Sequence, residues 1–580
     1  MATRYQLSHP LSLLAIAAAA GPSLLAYNVS PSPTFWNQAL ALALWGWFIV
    51  ATLPRAGFAW RGAAPLLGAL ALVVLTVGWS WGPGVLPAGL ALSAIGLLLA
   101  SGVMVVGGAG AHSRPDATAV FVAFSIGWVV TGVVNVAIAM VQVFAPAWPD
   151  GDWIAASAIA GRAVGNLRQP NHLSSLLVWA MVSVLALAEL RCLGRRVAAA
   201  LFAAMIFGVV LSGSRTGLLS VLLLALWGLL DRRLSRPARA LLLAGPVVCA
   251  LAWWGMSEWS RLSAHTFGAA AHMAEADVSS SRFAIWSDTL QMIRQQPWAG
   301  VGFGEFNFAW TLTPFAHRPP AFFDHTHNLV LQLAVEIGLP LAALVLWLLG
   351  AALWRAARLS FGGAAGAGAA GQDANGARRC ALMMVLMIGV HSMLEYPLWY
   401  SYFLLPAAWA WGFALGAGEP AAGVWRPSRA TLAAALLVVA GAMVSVIDYS
   451  RVTAIFSAEE GAPPLAQRIA RGQRSLFFAH HADYAAATTD AGRSQGLAPF
   501  RDATHYLLDT RLLLAWVKAL ARSGNLDGAR YLAARLHEFH NPASAEFFKP
   551  CEDKGGHAAS APLQCRPPLQ PHTWRDFEQR

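Results

Sequence analysis

Apolar residues run along this chain in long blocks, separated by short polar stretches rich in arginine, glycine and proline. Blocks of roughly 17–25 apolar residues are long enough to cross a hydrocarbon layer as helices. Thirteen such blocks occur, at residues 11–27, 35–53, 64–82, 84–106, 119–146, 171–190, 193–212, 214–230, 239–257, 327–350, 380–395, 398–416 and 431–449. The early AIAAAAGP resembles a cleavage site, but further apolar blocks follow at once, so 11–27 reads as the first span. Two stretches carry a helical period without that length. From Arg282, apolar Phe283, Ile285, Trp286, Leu290 and Ile293 predict a helix lying on the membrane surface, capped by serine at its start. Near the C-terminus, RLLLAWVKALARSGNLDGARYLAARLHEF predicts two amphipathic helices joined at SGNLDG, like one helix pair of a tetratricopeptide repeat. Residues 551–580 read as irregular.

Composition fits this picture. Of 580 residues, 57% are hydrophobic and only 12% charged, about half the charged share of a soluble domain. The formal charge of +11 could suggest a nucleic-acid binder, but the basic residues are almost all arginines set in short runs between apolar blocks. Read as topology, they agree with one another. With Arg4 inside, the even-numbered spans deliver Arg55 and Arg61, Arg114, Arg191 to Arg196, Arg232 to Arg239, Arg355 to Arg379, and Arg426 with Arg429 to that same side. The expectation is an all-α polytopic membrane protein with its N-terminus cytoplasmic and its C-terminus periplasmic. A transmembrane domain (1–450) would carry a large outer loop, 258–326, and a helical domain (451–580) would follow. The shorter outer loop lies near 147–170, and the low-complexity run 362–379 reads as a flexible cytoplasmic linker. Lys518, Lys549 and Lys554 are the chain's three lysines, all in the tail. Cys551 and Cys565 also lie there, where pairing is open, whereas Cys192, Cys249 and Cys380 are placed where it is not expected. No CxxC or HExxH motif is present, and no metal site is expected.

Polar residues crowd on the expected outer face in four groups. In SGSRTG, Arg215 sits in a tight outer turn, against the positive-inside trend. An ordinary interfacial arginine is the plain alternative. A guanidinium beside Ser212, Ser214 and Thr216 better suits an anionic headgroup such as a diphosphate, whose oxygens its fork matches. Arg282, opening the surface helix, is a candidate second phosphate ligand. GVGFGEF is glycine-rich but lacks the strand and lysine of a nucleotide site. In DHTHNLVLQLAVEIGLP, His325, His327 and Asn328 lie where the long loop enters a span, and a histidine there can take a proton from a hydroxyl near neutral pH. Glu336 reads as an intramembrane carboxylate in need of a partner. Arg168, Gln169, Asn171 and His172 of GNLRQPNHLSS offer hydrogen bonds to sugar or phosphate. His391, Glu395, Tyr396, Trp399 and Tyr400 of HSMLEYPLWYSYF add aromatic faces, although an interfacial belt accounts for Trp399 and Tyr402 equally well.

Together, SGSRTG, the arginine before an aromatic helix, and HTHNLVLQLAVEIGLP resemble the O-antigen ligase and polymerase superfamily. GNLRQPNHLSS, HSMLEYPLWYSYFLLPAAWAWG and RSLFFAHHADY are similar to bacterial pilin-type protein O-oligosaccharyltransferases. The resemblance covers most of residues 120–530. It implies that His327 is the catalytic histidine, that Arg215 and Arg282 hold a lipid diphosphate, and that Gln169 and either Tyr396 or Tyr400 act in the site. Arg168, His325, Asn328 and Glu395 would support it. The implied reaction moves an oligosaccharide from undecaprenyl diphosphate to a serine or threonine of an exported, pilin-like protein, with no cofactor and no obligatory metal. Ligation to lipid A core and O-antigen polymerisation differ in the acceptor. A transporter of lipid-linked sugar would use the same arginines, but the internal duplication common in transporters is not found in the sequence.

Overall fold

The computed structural model describes residues 9–54, 60–263, 265–274, 277–362, 369–416, 428–552 and 561–578. Arg4, Arg55 and Arg426 of the topology argument fall outside them. The described residues form helices and connecting turns, with no strand among them. In chain order the helices begin with α1 (His9–Leu24), α2 (Phe35–Thr52), α3 (Ala64–Trp81), α4 (Ala88–His112) and α5 (Ala117–Phe144). They continue with α6 (Pro170–Glu189), α7 (Arg195–Ser212), α8 (Arg215–Leu230), α9 (Arg236–Leu262), α10 (Gly268–Ala274), α11 (Asp277–Gln295) and α12 (Phe306–Leu312). Next come α13 (Leu329–Ile337), α14 (Leu339–Phe361), α15 (Ala369–Ser392), α16 (Ser401–Leu415) and α17 (Ser428–Phe456). The tail holds α18 (Leu465–Gly472), α19 (Ala479–Thr488), α20 (Phe500–Tyr506), α21 (Thr510–Arg522), α22 (Leu526–Glu538) and α23 (Ala545–Glu552). Among the described residues nine helices are long and apolar enough to cross a membrane, and the shorter apolar α1, α8 and α16 fall on three further expected spans.

Three expectations change. The tenth block, 327–350, is not one helix: α13 ends at Ile337 and α14 starts at Leu339, with Gly338 between them at φ +76°. Glu336 therefore lies on the short α13, before α14, the helix long and apolar enough to cross a membrane. Of the expected linker 362–379, residues from Ala369 onward already belong to α15; Arg379 pairs with Asp231 at 3.3 Å and Arg378 donates to the Gly416 carbonyl at 2.7 Å. Those two arginines have fixed partners, which a flexible linker would not give them. Helix α11 starts at Asp277, so the serines expected to cap it lie inside it.

The chain divides into two compact units, each discontinuous in sequence. The first comprises residues 1–70, 99–276 and 348–443, the second 71–98, 277–347 and 444–580. In the first, α5 packs on α1, α6 and α7, α8 on α9, and α15 on α6 and α16. Large aromatics fill its core, with Phe124 stacked on Trp409 at 4.5 Å and Trp128 edge-on to Trp179 at 4.8 Å. The Trp179 indole NH is satisfied by the Met384 carbonyl at 2.9 Å, as a buried donor requires.

In the second unit the long loop is threaded into the tail. Glu305 and His505 form a nearly fully buried pair at 2.6 Å, and Phe308 stacks on His505 at 4.5 Å. The Asn307 side chain accepts the Leu508 NH, and the Tyr531 hydroxyl donates to the Leu312 carbonyl at 2.6 Å. The Arg318 guanidinium lies over the Phe539 ring at 4.4 Å. The expected helix pair is present as α21 and α22, packed against each other. Beyond it the chain is not merely irregular: Cys551 and Cys565 are disulfide-bonded, and Phe577 stacks on Tyr531 at 5.3 Å.

Candidate functional site

In the first unit, the SGSRTG, GNLRQPNHLSS and HSMLEYPLWYSYF segments meet. The SGSRTG turn forms because Gly213 closes α7 in the left-handed region at φ +58°, where an added Cβ would lie 2.6 Å from that of Ala269. Ser214 then caps α8 through the Gly217 NH, and Arg215 is the first residue of that helix. A helix N-terminus already favours anions, and a guanidinium placed there adds a full charge. The Arg215 Nη2 donates to the His272 carbonyl at 3.0 Å. Its neighbour Ser214 donates to the Asn171 side-chain oxygen at 2.6 Å, and the Asn171 amide donates to Glu395 at 3.1 Å. One line of hydrogen bonds thus links the arginine turn, the start of α6 and the EYPLWY segment.

Gln169 accepts the His172 NH at 2.8 Å and so caps α6, with Pro170 at the first helical position. Its side-chain oxygen has a structural partner that the sequence reading did not assign. Tyr400 lies with its ring 4.6 Å from the His172 ring, and Tyr396 stacks on Tyr400 at 6.2 Å. Tyr402 is a correction: it is 4% exposed, with its hydroxyl 3.2 Å from His172 Nδ1, and so belongs to no outward belt. His391 is buried, 2.7 Å from the Ser175 hydroxyl. The loop leading here is held by residues that went unnoticed in the sequence. Gln142 accepts the Val164 and Gly165 NH groups, both at 2.9 Å, and Asn166 accepts the Ala155 NH at 3.0 Å. Neither residue type, alone in an apolar or loop segment, signals such a role.

In the second unit, His327 sits at φ +54°, one residue before Asn328, which caps α13 through the Leu331 NH. The peptide around it is fixed. Thr326 Oγ1 donates to the Asn328 carbonyl at 2.8 Å, and the Thr326 NH donates to Gln332 at 2.8 Å. Gln332 in turn donates to Glu336 at 3.0 Å. The Trp286 indole donates to the Thr326 carbonyl at 2.9 Å. Arg282 precedes Trp286 by one helical turn, on the same face of α11. His325 Nδ1 lies 3.1 Å from Asp324 Oδ1, and the His327 ring is edge-on to Phe323 at 5.4 Å. Burial pushes the Glu336 carboxyl up to about 7, against the lowering effect of His325 and of hydrogen bonds from Gly304 and Gln332.

Arg168, at φ +57°, repeats the His327 arrangement: a left-handed residue set directly before a helix cap. That conformation costs a side-chain-bearing residue about 1–2 kcal/mol, and glycine would avoid the cost. The structure thus gathers Arg168, Gln169, Arg215, Glu395, Tyr396 and Tyr400 in the first unit. Arg282, His325, His327 and Asn328 belong to the second.

Comparison with known proteins agrees with the motifs. The O-antigen ligase family matches residues 200–346, the C-terminal part of a virulence-factor membrane-bound polymerase family matches 380–548, and a protein glycosylation ligase family matches 163–188. These three stretches contain every candidate residue named above. A general O-oligosaccharyltransferase of Acinetobacter baylyi is 26% identical over 270 residues, covering 44% of this chain and 43% of that protein. A ComP-specific O-oligosaccharyltransferase of the same organism is 27% identical over 267 residues, covering 44% of each. The matched stretch is thus under half the length of either relative. The resemblance read from the motifs is borne out: the chain is similar to O-antigen ligases and to O-oligosaccharyltransferases.

Proposed function

We propose that this chain is a glycosyltransferase that moves an oligosaccharide en bloc from undecaprenyl diphosphate to a serine or threonine of an exported, pilin-like protein. It would act on the outer face of a bacterial inner membrane. In this reading the acceptor hydroxyl attacks the anomeric carbon, a new C–O bond forms, and the bond to the diphosphate oxygen breaks. His327 takes the hydroxyl proton, and Arg215 and Arg282 stabilise the charge that grows on the departing diphosphate. The assignment of these roles rests on the resemblance. The observation that carries it is the backbone of His327: a left-handed histidine before a helix cap, with both neighbouring residues held by hydrogen bonds. The Arg215 turn supports it through a helix N-terminus combined with a guanidinium.

Purified protein, a synthetic undecaprenyl-diphosphate oligosaccharide and an exported acceptor protein make the test. His327→Ala should lower transfer by at least about a hundredfold with expression unchanged; normal transfer would remove histidine from the mechanism. Arg215→Lys should cost about tenfold or more, because an ammonium replaces a two-pronged donor. A second reading keeps the chemistry and changes the acceptor to lipid A core or a growing O-antigen. It is favoured by the matches over 200–346 and 380–548.

A further inference from the structure

The tail contains a groove of about 950 Å³, walled on one side by α21. Arg511, Lys518 and Arg522 line it, spaced seven and four residues apart and so on one face of the helix. All three are exposed, and none forms an ion pair among the described residues. Both acids that line the groove already have partners, one of them another groove residue, Arg493. Asp490 pairs with Arg493 at 2.6 Å, and Asp509 accepts the Tyr484 hydroxyl and the Leu512 NH, both at 2.8 Å. The cationic stripe is about 16 Å long at the helical rise, the length of roughly five extended residues. Phe322 also lines the groove. It adjoins Phe323, whose ring meets His327, so one wall of the groove comes from the loop that leads to His327, within one compact unit.

We propose that this groove binds an extended, acidic segment of the acceptor polypeptide, with Arg511, Lys518 and Arg522 pairing its carboxylates. The proposal rests on the acceptor being a protein, as above. Its volume suits a peptide rather than a single ion, and a groove walled in part by the loop that leads to His327 suits an acceptor better than a flat lipid surface.

The test uses the full chain in detergent and a fluorescein-labelled serine-alanine peptide carrying a run of glutamates, beside its glutamine twin. By fluorescence anisotropy the glutamate peptide should bind at least about tenfold tighter than the twin. Lys518→Glu with Arg522→Glu should erase that difference, while Lys518→Arg should preserve it. In the transfer assay the charge reversal should raise KM for an acidic acceptor and leave kcat and the donor KM unchanged. Equal binding of the glutamine twin, or no effect of the reversal, would overturn the proposal. So would displacement of the peptide by inorganic phosphate, or by phosphatidylglycerol vesicles, as readily as by unlabelled peptide. Anisotropy needs no turnover, so the groove is judged apart from the reaction. A His327→Ala protein that still transfers glycan sinks the reaction, and one that still binds the acidic peptide supports the groove.

Discussion

Glu336 shows how much one side chain changes when its surroundings are known. It is 5% exposed and its carboxyl is pushed up to about 7 by burial. Below about pH 4.5 the native and unfolded chains both hold this proton. Between there and about 7 only the native chain keeps it, so stability falls with each unit of rising pH, by on the order of 3 kcal/mol in all. Glu336→Gln should flatten the decline in melting temperature between about pH 5 and 8; an unchanged slope would place the pH dependence elsewhere. The sequence marked Glu336 as a carboxylate in need of a partner, and Gln332 is that partner. It also located His327 and Arg215 by residue type and position. What it could not show was their backbone. A left-handed φ at His327 or Arg168 leaves no trace in composition, because only a few per cent of residues other than glycine adopt it.

At the scale of elements, apolar length identified the spans, and glycine decided where two of them begin or end. The apolar run continues straight across Gly338, so hydropathy merges α13 and α14. The chain nevertheless turns there at φ +76°, and an added Cβ would lie 2.2 Å from the Trp298 carbonyl oxygen. The signal was local, in IGLP, where proline follows within two residues and suits the first turn of the next helix. Gly338→Ala should therefore lower the melting temperature or the folded yield sharply; a protein with unaltered stability would mean the break is not rigid. Ser214→Ala removes the cap of α8 and leaves the Asn171 side-chain oxygen without its 2.6 Å donor. The expected cost is about 1–2 kcal/mol, with transfer impaired through Arg215. That line of hydrogen bonds from Ser214 to Glu395 joins residues 224 positions apart at its far end, which no local pattern encodes.

For the molecule as a whole, the alternation of apolar blocks and arginine runs made the membrane character legible. The make-up of the second unit was hidden, because it depends on contacts such as Glu305 with His505, 200 residues apart. The disulfide between Cys551 and Cys565 fits a tail in an oxidising compartment. Reporter fusions should accordingly place residue 300 outside and residue 365 inside; the reverse pattern would overturn the orientation. The central claim is chemical, and the exported proteins of the cell hold its record. Intact-mass spectrometry of exported pilins, with and without this protein, should show a whole-oligosaccharide mass increment on a serine- or threonine-bearing peptide only when it is present. Identical pilin masses in both strains, with the sugar found instead on lipid A core or in longer O-antigen, would contradict it.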